Sequence, residues 1–296
     1  MGSERIAIIG AGLMGHGLAQ VFAQAGHPVA IYDQVPATLD SVRARVGANL
    51  VSLGADPGAV ERITPHSDLA SAVGDADLVI EAVSEDLGLK QALFERLEQF
   101  APADAVLATN TSVIPVREVG ARVTSAERVL GTHWWNPPYL VPLVEVVQSD
   151  RTSIETVERT MALLERAGKE PVHVRRDVPG FVGNRLQHAL WREAIAIVAA
   201  GVCDAETVDK VVTSGFGRRL GVMGPLETAD LVGLDLTLAI HEHVLADLDR
   251  TPGPSSYLRE LVERGDLGMK TGNGFRVWPP NAAADARERL LRHLNT

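Results

Sequence analysis

Residues 6–17 read IAIIGAGLMGHG. Four apolar residues run into Gly10-x-Gly12-x-x-Gly15, and an amphipathic helical pattern follows through Ala25, with Gly26 to cap it. The glycine pattern alone is a weak signal. Its setting makes it specific: it ends a buried strand, opens a helix, and is followed 23 residues later by Asp33, the last residue of a second strand, PVAIYD (28–33). That combination holds a dinucleotide. Gly10 allows the tight turn, Gly12 lets the main chain approach a pyrophosphate, and Gly15 lets helix and strand pack closely. The free N–H groups of the helix start meet the phosphates. Asp33 can accept hydrogen bonds from the adenosine ribose and would repel a 2′-phosphate. No arginine follows it in QVPA, so NAD is expected as cofactor, not NADP. His16 lies just inside the helix, whose N-terminus disfavours imidazolium; it reads as a neutral, partly exposed residue.

Outward from this motif, strand and helix alternate. RIAIIG (5–10), PVAIYD, ADLVIEAV (76–83), AVLATN (105–110), RVLGTHW (128–134), PLVEVV (142–147) and PVHVRR (171–176) are strand candidates. A helix from about Ala37, broken near GADPG, is expected to fill the chain to residue 62. Strands separated by helical patterns imply an α/β fold, a Rossmann-like and mainly parallel sheet covered on both faces. The character changes at DVPG (177–180). FVGNRLQHALWREAIAIVAAG repeats its apolar residues at helical spacing, and the remaining segments and the Ala/Arg-rich tail after Pro280 also read as helix. The expected organisation is a nucleotide-binding domain over 1–178 and an all-helical substrate and dimerisation domain over 179–296.

A chain of 296 residues suits two domains, and 46% hydrophobic residues supply a sizeable core. The net charge of −10 argues against binding nucleic acid or an anionic membrane surface. The one cysteine, Cys203, excludes an intrachain disulfide and a cysteine metal cluster, which suits a reducing cytosol. It reads as a small filler. No signal peptide or membrane-spanning run is evident, so a cytoplasmic protein is expected. No metal is expected: His241 and His243 of HEH are two apart on a helix and face different ways.

A nicotinamide cofactor suggests hydride transfer, and oxidising an alcohol then needs a base for the hydroxyl proton. Histidine is suited to this by its near-neutral pKa, and a carboxylate on its far ring nitrogen fixes the tautomer. GTHWWNPPYLVPLVEVV (131–147) offers both groups, His133 at the end of one strand and Glu145 within the next, if the chain reverses at NPPY. On spacing alone two readings stand level: a catalytic pair, or a core histidine hydrogen-bonded to backbone with an outward glutamate on an edge strand.

HWWNPPYLVPLVEVV resembles the His-aromatic-Asn-Pro…Leu-Val-Glu-Val block of the L-3-hydroxyacyl-CoA dehydrogenases. GAGLMG, ADLVIEAVSEDLGLKQALF, ATNTS, DVPGFVGNRL, MGPLETADLVGLD and GMKTGNGF match in order, so the resemblance covers nearly the whole chain. It implies a homodimer formed through the helical domain, NAD as cofactor, and His133 with Glu145 as the catalytic pair. Ser112 of NTS would hydrogen-bond the substrate oxygen, and Asn184 of FVGNR would help polarise it. Glu85 and Lys90 match positions beside the nicotinamide half of NAD, with Leu13, Met14 and Asn110 as further cofactor contacts. The implied activity is oxidation of the 3-hydroxyl of a 3-hydroxy acid or 3-hydroxyacyl-CoA. The alternatives are a non-catalytic NAD-binding protein of the crystallin kind, or a dehydrogenase of a ring-bearing alcohol or aldehyde.

Two departures bear on the substrate. Trp134 and Trp135 replace the two phenylalanines usual in acyl-CoA members. Those members also carry lysines after the second strand that meet CoA phosphates; here no lysine precedes Lys90, although Arg43, Arg45 and Arg62 lie in the region. In style the chain is nearer the L-gulonate 3-dehydrogenase/λ-crystallin and L-carnitine dehydrogenase relatives, which act on free hydroxy acids. Arg219, or its neighbour Arg218, in the glycine-flanked SGFGRRLGVMGP (214–225), is the candidate for binding a free carboxylate.

Overall fold

The computed structural model describes residues 3–295. Eight strands form one sheet: β1 (Ile6–Ile9), β2 (Val29–Tyr32), β3 (Ile63–His66), β4 (Leu78–Glu81), β5 (Val106–Thr109), β6 (Val129–Trp134), β7 (Leu143–Val147) and β8 (Glu170–Val174). Their spatial order is β3-β2-β1-β4-β5-β6-β7-β8. Neighbours are parallel except β6 and β7, which are antiparallel across the NPPY reversal. The helices between them are α1 (Leu13–Gln24), α2 (Pro36–Asp40), α3 (Val42–Ser52), α4 (Leu69–Val73), α5 (Leu87–Phe100), α6 (Val116–Val119) and α7 (Ile154–Arg166).

Side chains of β1 alternate between two cores. Ile6 and Ile8 pack with Leu18 and Phe22 of α1, Val42, Val46 and Leu50 of α3, and Leu163 and Leu164 of α7. Ala7 and Ile9 pack with Leu69 of α4, Phe94 and Leu97 of α5 and Val116 of α6. Burial on both faces is why the central strands read as unbroken apolar runs. Each fully buried Leu, Ile or Phe contributes about 1.5–3 kcal/mol. Strand order reverses between β1 and β4, and at such a switch point the chain diverges on both sides and leaves a crevice at the carboxyl ends of the strands.

The stretch after β2 departs from expectation. The helix expected from Ala37 to residue 62 is two helices, α2 and α3, followed by a 3-10 turn over Pro57–Arg62 that starts within the GADPG break, where Asp56 accepts from Gly58 N–H at 2.9 Å. β3, read by sequence pattern as neither strand nor helix, follows. It is an edge strand carrying Pro65, and an edge position tolerates the missing N–H.

Among the described residues, 3–185 together with 293–295 form one compact unit, and Leu186–Arg292 another. The division falls just inside α8 (Gly183–Ala199). The second unit carries most of α8, then α9 (Ala205–Ser214), α10 (Pro225–Val232), α11 (Leu234–Val244) and α12 (Ser256–Glu263). α13 (Ala282–Leu294) is the tail helix. In the second unit, isolated bridges joining Gly268, Asn273 and Val277 are the only β pairing among the described residues. No helix among them is long and apolar enough to cross a membrane.

Candidate active site

Two clefts open at the carboxyl ends of β1 and β4. One, of about 370 Å³, is lined by Gly10, Gly12, Asp33 and Thr38. The other, of about 620 Å³, is lined by Leu13, Met14, Glu85, Asn110, Ser112, His133, Trp135 and Asn184. Ala82, Val83 and Ser84 border both, so they form one trough. The glycine loop at its centre has three glycines for three reasons. Gly10 sits at φ +104°, and a Cβ on Gly15 would lie 1.7 Å from the Gly10 carbonyl oxygen. A Cβ on Gly12 would meet no protein atom within 4 Å. The fold therefore does not itself need glycine at 12; a ligand drawn close to the main chain does. Gly12 caps α1 with no side-chain hydrogen bond, so the N–H groups of that turn are left for an anion. These residues fit the pyrophosphate of NAD. Asp33 lines the first cleft and also accepts from Ala11 N–H at 2.7 Å and Val35 N–H at 2.8 Å. His16 is half-buried. Burial lowers its pKa, its hydrogen bond to the Gly12 carbonyl works the other way, and the Arg45 charge adds to the lowering.

His133 and Glu145 are direct cross-strand partners in the β6–β7 register. Their strand neighbours Leu130, Trp134, Val144 and Val146 face the α1 side, so both point to the α5 side, where alternation brings their side chains together. His133 Nδ1 lies 2.7 Å from Glu145 Oε2, with His133 3% and Glu145 1% exposed. The other carboxylate oxygen, Oε1, accepts from the N–H groups of Val182 (2.9 Å) and Gly183 (3.0 Å), where α8 begins. The turn that aims those N–H groups contains Gly180 at φ +74° and Phe181 at φ +48°. A non-glycine residue in the left-handed region is held there by its surroundings: Phe181 is fully buried, its ring 5.7 Å from that of His133. Burial pushes the Glu145 carboxyl up, but the hydrogen bonds from His133, Gly183 and Val182 outweigh it and hold the pKa below the ordinary glutamate value. Glu145 is thus an ionised, acceptor-only group near neutrality, and Nδ1 must carry the ring proton. In the neutral imidazole Nε2 is then the lone pair, and it has no protein partner among the described residues. Trp135 walls the imidazole at 5.3 Å between ring centroids and abuts Gly183, where a Cβ would lie 2.4 Å from its ring.

Ser112 is held by its main chain. Its N–H donates to Glu85 Oε1 at 3.1 Å and its carbonyl accepts from Asn184 Nδ2 at 2.9 Å. Its hydroxyl has no protein partner among the described residues. Glu85 also accepts from the Thr111 hydroxyl, and its other oxygen lies 3.2 Å from Lys90 Nζ. Burial raises the Glu85 pKa, and Thr111, Lys90 and Ser112 N–H together bring it below the ordinary value. Lys90 lines neither cleft. It is 1% exposed, with Nζ 2.7 Å from Glu81 Oε1. Glu81, wholly buried, also accepts from Thr109 Oγ1 and Val83 N–H, each at 2.7 Å. The sequence reading did not single out Glu81. Its signal was the one that drew notice to Glu145, a glutamate interrupting an apolar strand. Asn110 accepts from Trp134 N–H at 3.2 Å and so ties the end of β5 to β6.

Each of the three arginines after β2 reaches a main-chain carbonyl; Arg43 and Arg62 are exposed and Arg45 is half-buried. Arg43 Nε donates to the Ile63 carbonyl at 2.8 Å, and Arg62 reaches the Ala23 carbonyl at 3.5 Å. Arg45 donates to the carbonyls of Ala11, Gly12 and Thr38. Arg218 and Arg219 lie in the second unit, in the one-turn 3-10 helix Phe216–Arg219, exposed and with no side-chain partner among the described residues.

Comparison with known proteins agrees with this geometry. Residues 5–178 match the family model of the 3-hydroxyacyl-CoA dehydrogenase NAD-binding domain, and residues 180–278 match that of the C-terminal domain. The chain is 34% identical over 296 residues to 5-formyl-3-hydroxy-2-methylpyridine 4-carboxylate 5-dehydrogenase of Mesorhizobium japonicum, covering 98% of this chain and 96% of that protein. It is 38% identical over 282 residues to the probable 3-hydroxybutyryl-CoA dehydrogenase of Bacillus subtilis, covering 92% and 96%. A crystal structure of the 5-formyl-3-hydroxy-2-methylpyridine 4-carboxylic acid 5-dehydrogenase, described as an NAD-dependent dismutase, superposes with a TM-score of 0.91 at 33% identity, covering 99% of this chain and 97% of that one. With both family models matched in order along a trough built for a dinucleotide, the chain belongs to the 3-hydroxyacyl-CoA dehydrogenase family and is an NAD-dependent oxidoreductase.

Proposed function

We propose that the protein oxidises the hydroxyl of a small hydroxy acid, or of its thioester, with His133 as the base. The observation that carries this is the buried His133–Glu145 contact at 2.7 Å, which in the neutral imidazole gives Nε2 the lone pair, beside a 620 Å³ cleft. NAD, when bound, accepts the hydride. His133 takes the hydroxyl proton at Nε2, and the Glu145 carboxylate stabilises the imidazolium that results. Val182 and Gly183 keep that carboxylate in place throughout. The free hydroxyl of Ser112 binds the substrate oxygen, and Asn184 holds the Ser112 loop while facing the same cleft. Glu85, Leu13, Met14 and Asn110, which line this cleft, would contact the nicotinamide half of the cofactor, and Lys90 would act on it through Glu85.

A free acid is preferred to a CoA ester. Arg43, Arg45 and Arg62, the only cations near the positions of the family's lysines, are engaged with main-chain carbonyls. Arg219, or its neighbour Arg218, neither with a side-chain partner among the described residues, would pair with a carboxylate. The whole-chain likeness to a pyridine-carboxylate dehydrogenase supports a second reading, a ring-bearing alcohol or aldehyde that also carries a carboxylate. Leu226, Leu231, Leu234 and Leu238 of α10 and α11 are exposed in the single chain, and a homodimer through the helical domain would cover them.

The test is a panel read by NADH absorbance: free 3-hydroxy acids, their CoA esters, and hydroxymethyl- and formyl-pyridine carboxylates. Turnover of a free acid or a pyridine carboxylate well above any CoA ester supports the reading. A clear preference for CoA esters overturns the free-acid part and leaves the His133 mechanism to stand or fall by substitution.

A further inference from the structure

Arg45 is placed oddly for a surface arginine. It projects from α3 under the glycine loop, half-buried, and lines neither cleft. Its Nη2 donates to the Ala11 and Thr38 carbonyls and its Nη1 to the Gly12 carbonyl, the last two at 3.3 Å. Its Nε is buried with no partner among the described residues. Burial lowers its pKa, and the Asp33 charge offsets part of that. Desolvating a guanidinium and stranding one of its N–H groups is costly, and loop carbonyls near a surface could be met by water instead. Stability alone gives no reason for the arrangement.

The loop supplies one. Ala11 is gripped at both ends by opposite charges: Asp33 accepts from its N–H at 2.7 Å while Arg45 donates to its carbonyl. In a trans peptide the C=O and the following N–H point in opposite directions. Drawing the Ala11 carbonyl toward Arg45 therefore turns the Gly12 N–H away from it, and drawing the Gly12 carbonyl does the same for the Leu13 N–H. Both residues line the trough. Neither N–H, nor that of Met14, has an acceptor in the protein among the described residues.

We propose that Arg45 is the positioning residue of the cofactor site: from behind the glycine loop it fixes the carbonyls of Ala11 and Gly12, and thereby aims the N–H groups that bind the pyrophosphate. It touches no ligand. Arginine suits the task because a planar fork meets several carbonyls at once, whereas an ammonium meets fewer with less fixed geometry. The role is independent of which alcohol the enzyme oxidises. It also explains why a cation in this region is unavailable to a substrate phosphate.

The test is direct binding to the full chain, by calorimetry for NAD and ADP-ribose and by competition for adenosine, which lacks the pyrophosphate. In Arg45→Met, NAD and ADP-ribose should bind about tenfold or more weakly, the loss expected when charge-assisted hydrogen bonds that order the loop are removed. Adenosine affinity should be unchanged, and Arg45→Lys should fall between the two proteins. If Arg45→Met does not fold, the Lys variant carries the test, with ADP-ribose weakened and adenosine not. Unchanged ADP-ribose binding overturns the proposal. So does an equal loss for adenosine, which would mean that Arg45 merely supports the domain.

Discussion

Glu145 faces His133 across an antiparallel strand pair with one carboxylate oxygen and the first turn of α8 with the other. Both carboxylate oxygens are engaged by donors. That makes Glu145→Gln more than an isosteric change. An amide has one oxygen, so its NH2 must be set against either the His133 Nδ1–H or the Val182 and Gly183 N–H groups. The variant should lose about 1–3 kcal/mol of stability from the mismatched donors. Its kcat should fall about 10²–10⁴-fold because the imidazolium loses its counter-charge. Thermal melts and steady-state rates on the best substrate of the panel check both; near-normal turnover in a folded variant would contradict the pairing.

The same carboxylate sets an acid limit. Its pKa in the folded chain is below the ordinary value of 4.5, so its contribution is complete above that pH and is lost as pH falls through the lower folded value. The stability difference between the parent and Glu145→Gln should therefore shrink as melts are taken from neutrality to below pH 4.5. A difference that does not change over that range would show that the carboxylate is not held as described.

The glycines separate ligand from fold. Gly12→Ala should leave stability within about 0.5 kcal/mol, since its Cβ meets nothing, yet weaken NAD binding. Gly15→Ala should lower the melting temperature, because its Cβ would collide with the Gly10 carbonyl. Equal effects of the two changes on stability would contradict this division.

Lys169 tests the loop that joins the pair. Its Nζ donates to the carbonyls of Pro138 (2.5 Å) and Val141 (3.1 Å), beneath the NPPY reversal. Burial lowers its pKa from 10.5 to about 8. For a lysine this means that the folded chain releases the proton first. Between pH 8 and 10.5 the unfolded chain binds more protons, so stability contributed by this site rises with pH. Chemical denaturation of the parent and of Lys169→Met should diverge in the parent's favour across that window. Parallel pH profiles would remove the assignment.

Much of this site was readable from residue order. The glycine loop with Asp33, and the His133 and Glu145 interruptions of apolar strands, are local patterns that a periodic sheet converts into position. β3 was missed because four residues with a proline carry no alternation, and only the neighbouring strand makes them a strand. Glu81 escaped notice although its signal equals that of Glu145, for its meaning depends on Lys90 nine residues away. Long cations were the least legible. Periodicity places the Cα of Arg45 and Lys90, but their heads go where unpaired oxygens are, and those are fixed by tertiary packing.

The central claim is that His133 Nε2 takes the hydroxyl proton, and His133→Ala tests it most directly. With the panel's best substrate, kcat should drop about 10²–10⁴-fold while the dissociation constant for NAD, measured by calorimetry, stays within about twofold, since the imidazole acts in the transition state and not on the cofactor. Turnover close to that of the parent, in a variant that folds and binds NAD, would contradict the account.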